Sequence, residues 1–161
     1  MILLLVYVFG VTLAVLAAGL AAFEDARRFQ IPNVMTLLVV IGFILSYTAI
    51  AVGTGVEGAS HHPFESVPRH MASIAFIFIV TFGLFTARII GAGDAKLLSA
   101  MGLWFSPLMG LPLLIWYTTL CGGLLGVATI LLKKYKPMKT VPAGSWLAAA
   151  QAGENRVPYG V

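Results

Sequence analysis

The sequence predicts an all-α protein, a polytopic bundle of membrane-spanning helices. Of its 161 residues, 60% are hydrophobic and only 10% are charged, whereas a soluble domain carries about a quarter charged residues. The apolar residues fall in long runs, and a helix needs roughly 20 mostly apolar residues to cross a bilayer. Because water does not tolerate this much apolar surface, we expect residues 1–161 to form a single membrane-embedded domain.

Five spans are predicted from the apolar runs. They cover residues 2–23, 34–52, 71–90, 94–105 and 111–132. The first lacks the basic start and the small-residue cleavage site of a signal peptide, so we interpret it as a retained span. The third requires the Arg88 side chain to extend toward the interface. The last two divide one long run at Ser106 and Pro107. Residues 133–161 are predicted to form a cytoplasmic tail, with a short stretch at 146–151 along the interface.

The basic residues predict the orientation of the five spans. In this arrangement only Arg69 of the ten basic residues faces one side, and the other side holds Arg27, Arg28, Arg88, Lys96, Lys133, Lys134, Lys136, Lys139 and Arg156. The positive-inside rule makes the crowded side cytoplasmic and puts the N-terminus outside. We therefore assign the net charge of +4 to cytoplasmic loops beside the lipid bilayer, and we expect no nucleic-acid partner.

The only two aspartates of the chain, Asp25 and Asp94, both lie at the predicted cytoplasmic ends of spans. An ionisable residue at a span is costly and marks a functional site by default, and two converging carboxylates can activate a water. Each also has a purely structural interpretation. Asp25 could be a solvated loop residue paired with Arg27 or Arg28, and Asp94 could be the N-cap of the fourth helix. Glu24 projects in another direction and is treated as a bystander.

Residues around Asp94 add to the functional interpretation. Gly91 and Gly93 permit close backbone approach and unusual dihedral angles. Lys96 either neutralises a carboxylate or binds lipid phosphate. At the other aspartate, Pro32 suits the first turn of the second helix.

Metal, cofactor and disulfide chemistry is not expected. The predicted outer loop, residues 53–70, contains His61, His62 and His70, which could bind a metal or simply be solvated. No carboxylate or cysteine stands at a convincing ligand spacing, so we favour the solvated loop. The single cysteine, Cys121, excludes an intramolecular disulfide and a CxxC motif, and we expect it to be a buried small hydrophobe.

Two motifs surround the aspartates: Asp25 is followed after five residues by Ile31-Pro32-Asn33, and Gly91-x-Gly93-Asp94-x-Lys96 opens the fourth span. These motifs resemble those of the type IV prepilin peptidases, which are GxGD-type aspartic proteases. The short forms that serve Flp, or tight-adherence, pilus systems are the most similar. The resemblance implies that Asp25 and Asp94 are catalytic. It also implies that the site is shaped by Gly91, Gly93, Lys96, Pro32 and Asn33. Residues 157–160 resemble the start of that family's sixth span, which is then truncated or missing after Val161.

The resemblance also implies an activity. The enzyme would cleave the leader from prepilins and pseudopilins at the cytoplasmic face of the bacterial inner membrane. One aspartate would act as general base on a water and the other as general acid, with no metal and no covalent intermediate. The chain lacks the domain with paired CxxC motifs of the longer, methylating enzymes, so methyl transfer is not expected. We expect the two carboxylates to share a cavity, too far apart at rest for a direct hydrogen bond, with the glycine turn supplying the movement.

Two other functions are compatible with the composition. A small transporter or proton-relay subunit would also use membrane carboxylates, but both aspartates lie at one boundary and no further Asp, Glu or His stands within a predicted span to continue a relay. A non-catalytic component of a secretion assembly is the third possibility. The sequence determines neither the oligomeric state nor the particular pilin.

Overall fold

Helices make up nearly all of the computed structural model, which describes residues 1–54, 64, 66–135 and 146–152. Within these residues the helices are α1 (Ile2–Arg28), α2 (Asn33–Thr54), α3 (Val67–Thr86), α4 (Ala92–Gly102), α5 (Gly110–Tyr135) and α6 (Trp146–Ala152). None of the described residues is in a strand, so the predicted all-α class is confirmed. His61, His62, most of the predicted tail and the 157–160 motif lie outside the described residues.

Four of these helices, α1, α2, α3 and α5, are long and apolar enough to cross a membrane. The chain is therefore a multi-pass membrane protein. The first helix extends beyond the predicted first span, because α1 continues past residue 23 to Arg28, where Phe29 ends it in the left-handed conformation (φ 52°). The third helix is shifted relative to the predicted third span. α3 begins at Val67 and ends at Thr86, so Arg88 lies beyond the helix.

The fourth helix is shorter than the span predicted at 94–105. α4 has 11 residues, which extend over about 16 Å, whereas the hydrocarbon core is about 30 Å thick. It is not among the four helices that qualify as spans by length. The backbone after α4 nevertheless reaches the beginning of α3, because the Leu103 carbonyl lies 2.7 Å from Nδ1 of His70. The five-span topology, its orientation and the single domain over 1–161 stay predictions.

Small residues bring α1, α2 and α4 together. α1 packs along α2, α3 along α4, and α2 also contacts α4. Where α1 meets α2, a β-carbon on Gly10 would stand 2.6 Å from the Gly42 carbonyl oxygen, so only glycine allows this approach. The buried face of α1 then continues with Ala14, Ala17, Ala21 and Asp25. A core cluster between the three helices consists of Ala17, Ala21, Val39, Leu97 and Ala100.

A second cluster, rich in aromatic side chains, lies toward the start of α3 and corrects the prediction for His70. We expected a solvated loop residue, but His70 belongs to α3 and is only 2% exposed. Its ring lies 5.1 Å from that of Phe43 and 5.8 Å from that of Phe64. Because the Leu103 carbonyl can only accept, Nδ1 donates that hydrogen bond. Within the described residues, no group of His, Cys, Asp or Glu could hold a metal ion.

The last two described helices pack against each other. Nε1 of Trp146 in α6 donates to Oγ1 of Thr129 in α5 over 3.2 Å, and α6 also touches α1. Whether the 146–151 stretch lies along the membrane interface stays a prediction. The prediction that Cys121 is buried is wrong, because this residue is exposed on α5. The outer face of a membrane helix is as apolar as its core face, so hydropathy did not distinguish the two.

Candidate active site

Asp25 lies on the buried face of α1, one turn after Ala21, and is 5% exposed. The interpretation as a solvated loop residue is therefore wrong. Of the neighbouring arginines, Arg28 forms an ion pair with Glu24 at 3.4 Å, and the guanidinium of Arg27 lies 5.2 Å from the centroid of the Phe23 ring. Burial of Asp25 follows from helix periodicity, since positions three and four residues apart share one face.

Asp94 is held by its own helix start. The N-cap of α4 is Gly91 rather than Asp94, and Asp94 occupies the third helical position in a capping box. The Gly91 N–H donates to Oδ2 of Asp94 over 3.0 Å. The other oxygen, Oδ1, is buried and accepts no hydrogen bond from the part of the chain that the structure describes. One oxygen of Asp94 thus has a structural role, and the other is available for chemistry.

The two carboxylates meet at one end of the three-helix core. Asp25 follows Ala21 by one turn on α1, and Asp94 precedes Leu97 by one turn on α4. Ala21 and Leu97 belong to the same buried cluster. The negative charge of Asp25 also acts on Asp94, so the two aspartates lie near each other at one end of this cluster. The structure therefore brings together the two residues that the sequence singled out.

Burial and charge affect the proton affinity of Asp94, which lies outside the four helices that qualify as spans. Desolvation, and then the negative charge of Asp25, raise the pKa of Asp94 from 3.8 to about 6, although the Gly91 N–H opposes the rise. Two nearby carboxylates in a buried site cannot both ionise cheaply, so such a pair retains a proton more readily than isolated groups do.

The two glycines provide space rather than unusual dihedral angles. A β-carbon on Gly91 would lie 3.0 Å from Oδ2 of Asp94, and one on Gly93 would lie 3.0 Å from Cβ of Ile31. Gly91 has an ordinary extended conformation (φ −76°), so the expectation of unusual dihedral angles is wrong for it. Positive φ occurs instead at Phe29 and Arg88 among the described non-glycine residues.

The remaining predicted residues border the site from the side of α2. Pro32 precedes α2 instead of lying in its first turn, and its carbonyl accepts from the Met35 N–H over 3.0 Å. Nζ of Lys96 donates to Oδ1 of Asn33 over 3.2 Å. This bond joins α4 to the start of α2, a role that neither sequence interpretation of Lys96 included.

Sequence reasoning missed a pair of buried hydroxyls that attaches α4 to α3. The Ser99 hydroxyl donates to the Ala95 carbonyl over 2.6 Å and lies 3.2 Å from Oγ1 of Thr81. Both side chains are buried. This contact could have been predicted from the presence of hydroxyl residues within apolar helices, because such residues often lie where membrane helices touch.

Comparisons with known proteins point to one family. The model of the type IV leader peptidase family matches residues 2–127, a range that contains both aspartates. A prepilin leader peptidase/N-methyltransferase of Aeromonas hydrophila is 30% identical over 134 residues, which cover 80% of this chain and 42% of that protein. A protein of the same name from Aeromonas salmonicida strain A449 gives the same values. The chain thus spans less than half the length of these curated relatives. No solved structure matches it.

Proposed function

Since the chain belongs to the type IV leader peptidase family, we propose that it is an aspartic endopeptidase that removes the leader peptide of prepilin-like proteins. The observation that carries this proposal is the convergence of Asp25 and Asp94, two buried carboxylates, at one end of the core formed by α1, α2 and α4. The relatives, named as prepilin leader peptidases, supply the substrate class. They give no support to the transporter or the non-catalytic alternative.

The environments of the two carboxylates suggest different roles. Oδ1 of Asp94 is buried without a hydrogen-bond donor from the described residues, and the pKa of this group is raised to about 6. Both features favour the protonated form, so Asp94 is the general acid. Asp25 is then the general base, because the ionised member of such a pair can accept a proton from water.

The reaction follows from these roles. Asp25 takes a proton from a water as the water oxygen attacks the scissile carbonyl carbon, and Asp94 gives its proton to the carbonyl oxygen. Collapse of the tetrahedral intermediate breaks the C–N bond: Asp25 gives its proton to the leaving amine, and one hydroxyl of the gem-diol returns a proton to Asp94 as the carbonyl re-forms. The products are the leader with a new carboxylate and the mature protein with a free N-terminal amine. The two aspartates recover their starting protonation.

Location and substrate range extend the proposal. We place the site at the cytoplasmic face of the bacterial inner membrane, because Arg27, Arg28, Arg88 and Lys96 lie at the same helix ends as the two aspartates and basic residues accumulate on the cytoplasmic side. The substrates are prepilins and pseudopilins. The resemblance to the short forms of the family suggests that these substrates include the pilins of Flp, or tight-adherence, pilus systems. Cleavage of a panel of precursors from different pilus systems would define this range.

Conservative replacement of each aspartate tests the proposal. Asp25→Asn and Asp94→Asn keep the size of the side chain and remove the ionisable group, so each should abolish cleavage of a purified prepilin by the full chain in detergent. Glu24→Gln is the matched control. It removes a neighbouring carboxylate that pairs with Arg28, and it should retain most of the activity. Cleavage at close to the wild-type rate by either aspartate variant would exclude the aspartic mechanism.

A further inference from the structure

The turn at residues 29–32, between α1 and α2, follows Asp25 directly and has few bonds of its own. The Phe29 N–H donates to the Asp25 carbonyl over 2.8 Å, and the Pro32 carbonyl accepts from the Met35 N–H over 3.0 Å. Both bonds are local to α1 or α2. Neither fixes the position of this turn relative to α4, which carries the second aspartate.

Ile31 and Met35 pack against the core cluster that contains Leu97 and Ala100 of α4, and two closer contacts also connect the turn and the start of α2 to α4. The first is steric, since a β-carbon on Gly93 would lie 3.0 Å from Cβ of Ile31, closer than ordinary van der Waals contact. The second is the hydrogen bond of 3.2 Å from Nζ of Lys96 to Oδ1 of Asn33. The steric contact limits only how near the two segments come. The hydrogen bond also limits how far apart they move.

The direction of the Lys96 side chain supports a geometric role. Residues two apart on a helix do not face each other, so Lys96 projects away from Asp94 and reaches Asn33 at the start of α2. Its partner is a neutral amide, which leaves the positive charge of the ammonium in place. The bond therefore contributes position rather than charge neutralisation.

We propose that Lys96 is a positioning residue: its bond to Asn33 latches the start of α2 onto α4 and thereby sets the spacing of Asp25 and Asp94. This inference rests on the proposed function for its catalytic consequence, but not for its structural one. Without the latch, the turn after Asp25 moves away from α4 and the two carboxylates separate. Misplacement of reacting groups by about 1 Å can reduce a rate by as much as a hundredfold.

A distance measurement tests the structural part without any substrate. Spin labels are attached to cysteines introduced at Gln30 and Ala92, both exposed, in the full chain with Cys121→Ala. Pulsed dipolar spectroscopy should give one narrow distribution for the chain with an intact latch. Lys96→Met and Asn33→Leu should each broaden it and shift it to longer distances. The exchange of both residues, Lys96→Asn with Asn33→Lys, should restore the narrow distribution. An unchanged distribution in Lys96→Met would overturn the proposal.

Kinetics tests the catalytic part. Lys96→Met should lower kcat by about tenfold, the effect of losing one charge-assisted hydrogen bond, with KM changed less than about twofold. The exchange variant should recover most of this loss at an unchanged pH dependence. Lys134→Met, on α5, is the control for removal of a cation and should match the wild type. If the exchange variant cleaves as slowly as Lys96→Met, the cation at position 96 acts directly and the latch is wrong. Failure of the wild type to cleave any prepilin would instead reject the proposed function, and the distance measurement would still decide the latch.

Discussion

The backbone N–H of Gly91 donates a hydrogen bond of 3.0 Å to Oδ2 of Asp94. The residue that caps α4 therefore also orients the carboxylate three positions later. A β-carbon on residue 91 would lie 3.0 Å from that same oxygen, and the N-cap and third helical position are adjacent in any helix start. The spacing of the GxGD motif thus corresponds to a capping box in which the capping side chain is also the candidate catalytic one.

Added side chains at the two glycines should disturb the site through different neighbours. Gly93→Ala places a methyl group against Ile31, and we expect cleavage to slow by about tenfold or more, because α4 must withdraw from the turn after Asp25. The double variant Gly91→Val with Gly93→Val should be inactive. Initial rates of prepilin cleavage measure both effects.

Two further variants make this prediction specific. Adding Ile31→Gly to Gly93→Ala removes the β-carbon that is in the way, so the rate should partly recover. Gly19→Ala is the control, because a β-carbon at Gly19 meets nothing within 4 Å, and it should leave the rate unchanged. Full activity of Gly93→Ala would show that this close approach is not required.

The raised pKa of Asp94 predicts how the stability of the protein depends on pH. A carboxyl group whose pKa is higher in the folded state favours folding when protonated, and this stabilisation is lost as pH rises through the folded pKa. Since the pKa rises from 3.8 to about 6, the wild type should lose stability relative to Asp94→Asn between about pH 4 and pH 7. The difference should be on the order of 2 kcal/mol, because one pKa unit corresponds to about 1.4 kcal/mol.

Thermal unfolding in detergent over this pH range measures the difference. Asp25→Asn is the informative companion variant, because it removes the charge that contributes to the shift, and the pH dependence should become weaker in it. A gap between the wild type and Asp94→Asn that stays constant with pH would contradict a raised pKa.

Close packing of α1 on α2 should depend on Gly10. A β-carbon there would stand 2.4 Å from Oγ of Ser46 and 2.6 Å from the Gly42 carbonyl oxygen. Gly10→Val should therefore separate the two helices and destabilise the protein by about 1–3 kcal/mol. Gly19→Val, on the same helix with open space beside it, should have a much smaller effect. Equal melting temperatures for the two variants would contradict the role of Gly10.

The predicted orientation is open to a labelling experiment. Single cysteines in a Cys121→Ala background at the positions of Arg28, Ala92 and Met109, all exposed, distinguish the two sides. A membrane-impermeant thiol reagent added outside intact cells should label position 109 only, because the other two accompany the aspartates at the cytoplasmic face. Positions 58 and 138, outside the described residues, should react from the outside and from the inside, respectively. Labelling of position 92 from outside would reverse the topology and the placement of the site.

The fold class and the two candidate catalytic aspartates could be predicted from the sequence alone. Long apolar runs are a local property of the chain, and a bilayer makes their length informative. The rarity of charge made the two aspartates conspicuous, and the GxGD spacing agreed with a helix start. These inferences needed no knowledge of which helices touch, since each depended on residues within a few positions of one another.

Tertiary structure decided which side chains are buried and what they contact. Asp25 continues the buried face of α1, His70 lies among the rings of Phe43 and Phe64, and Ile31 lies close to Gly93. Cys121 turned out to be exposed although its helix is apolar on every side. In a membrane protein, lipid-facing and core-facing residues are equally apolar. Hydropathy therefore locates a helix but not its inner face, and only the packing of distant segments shows which residues form the site.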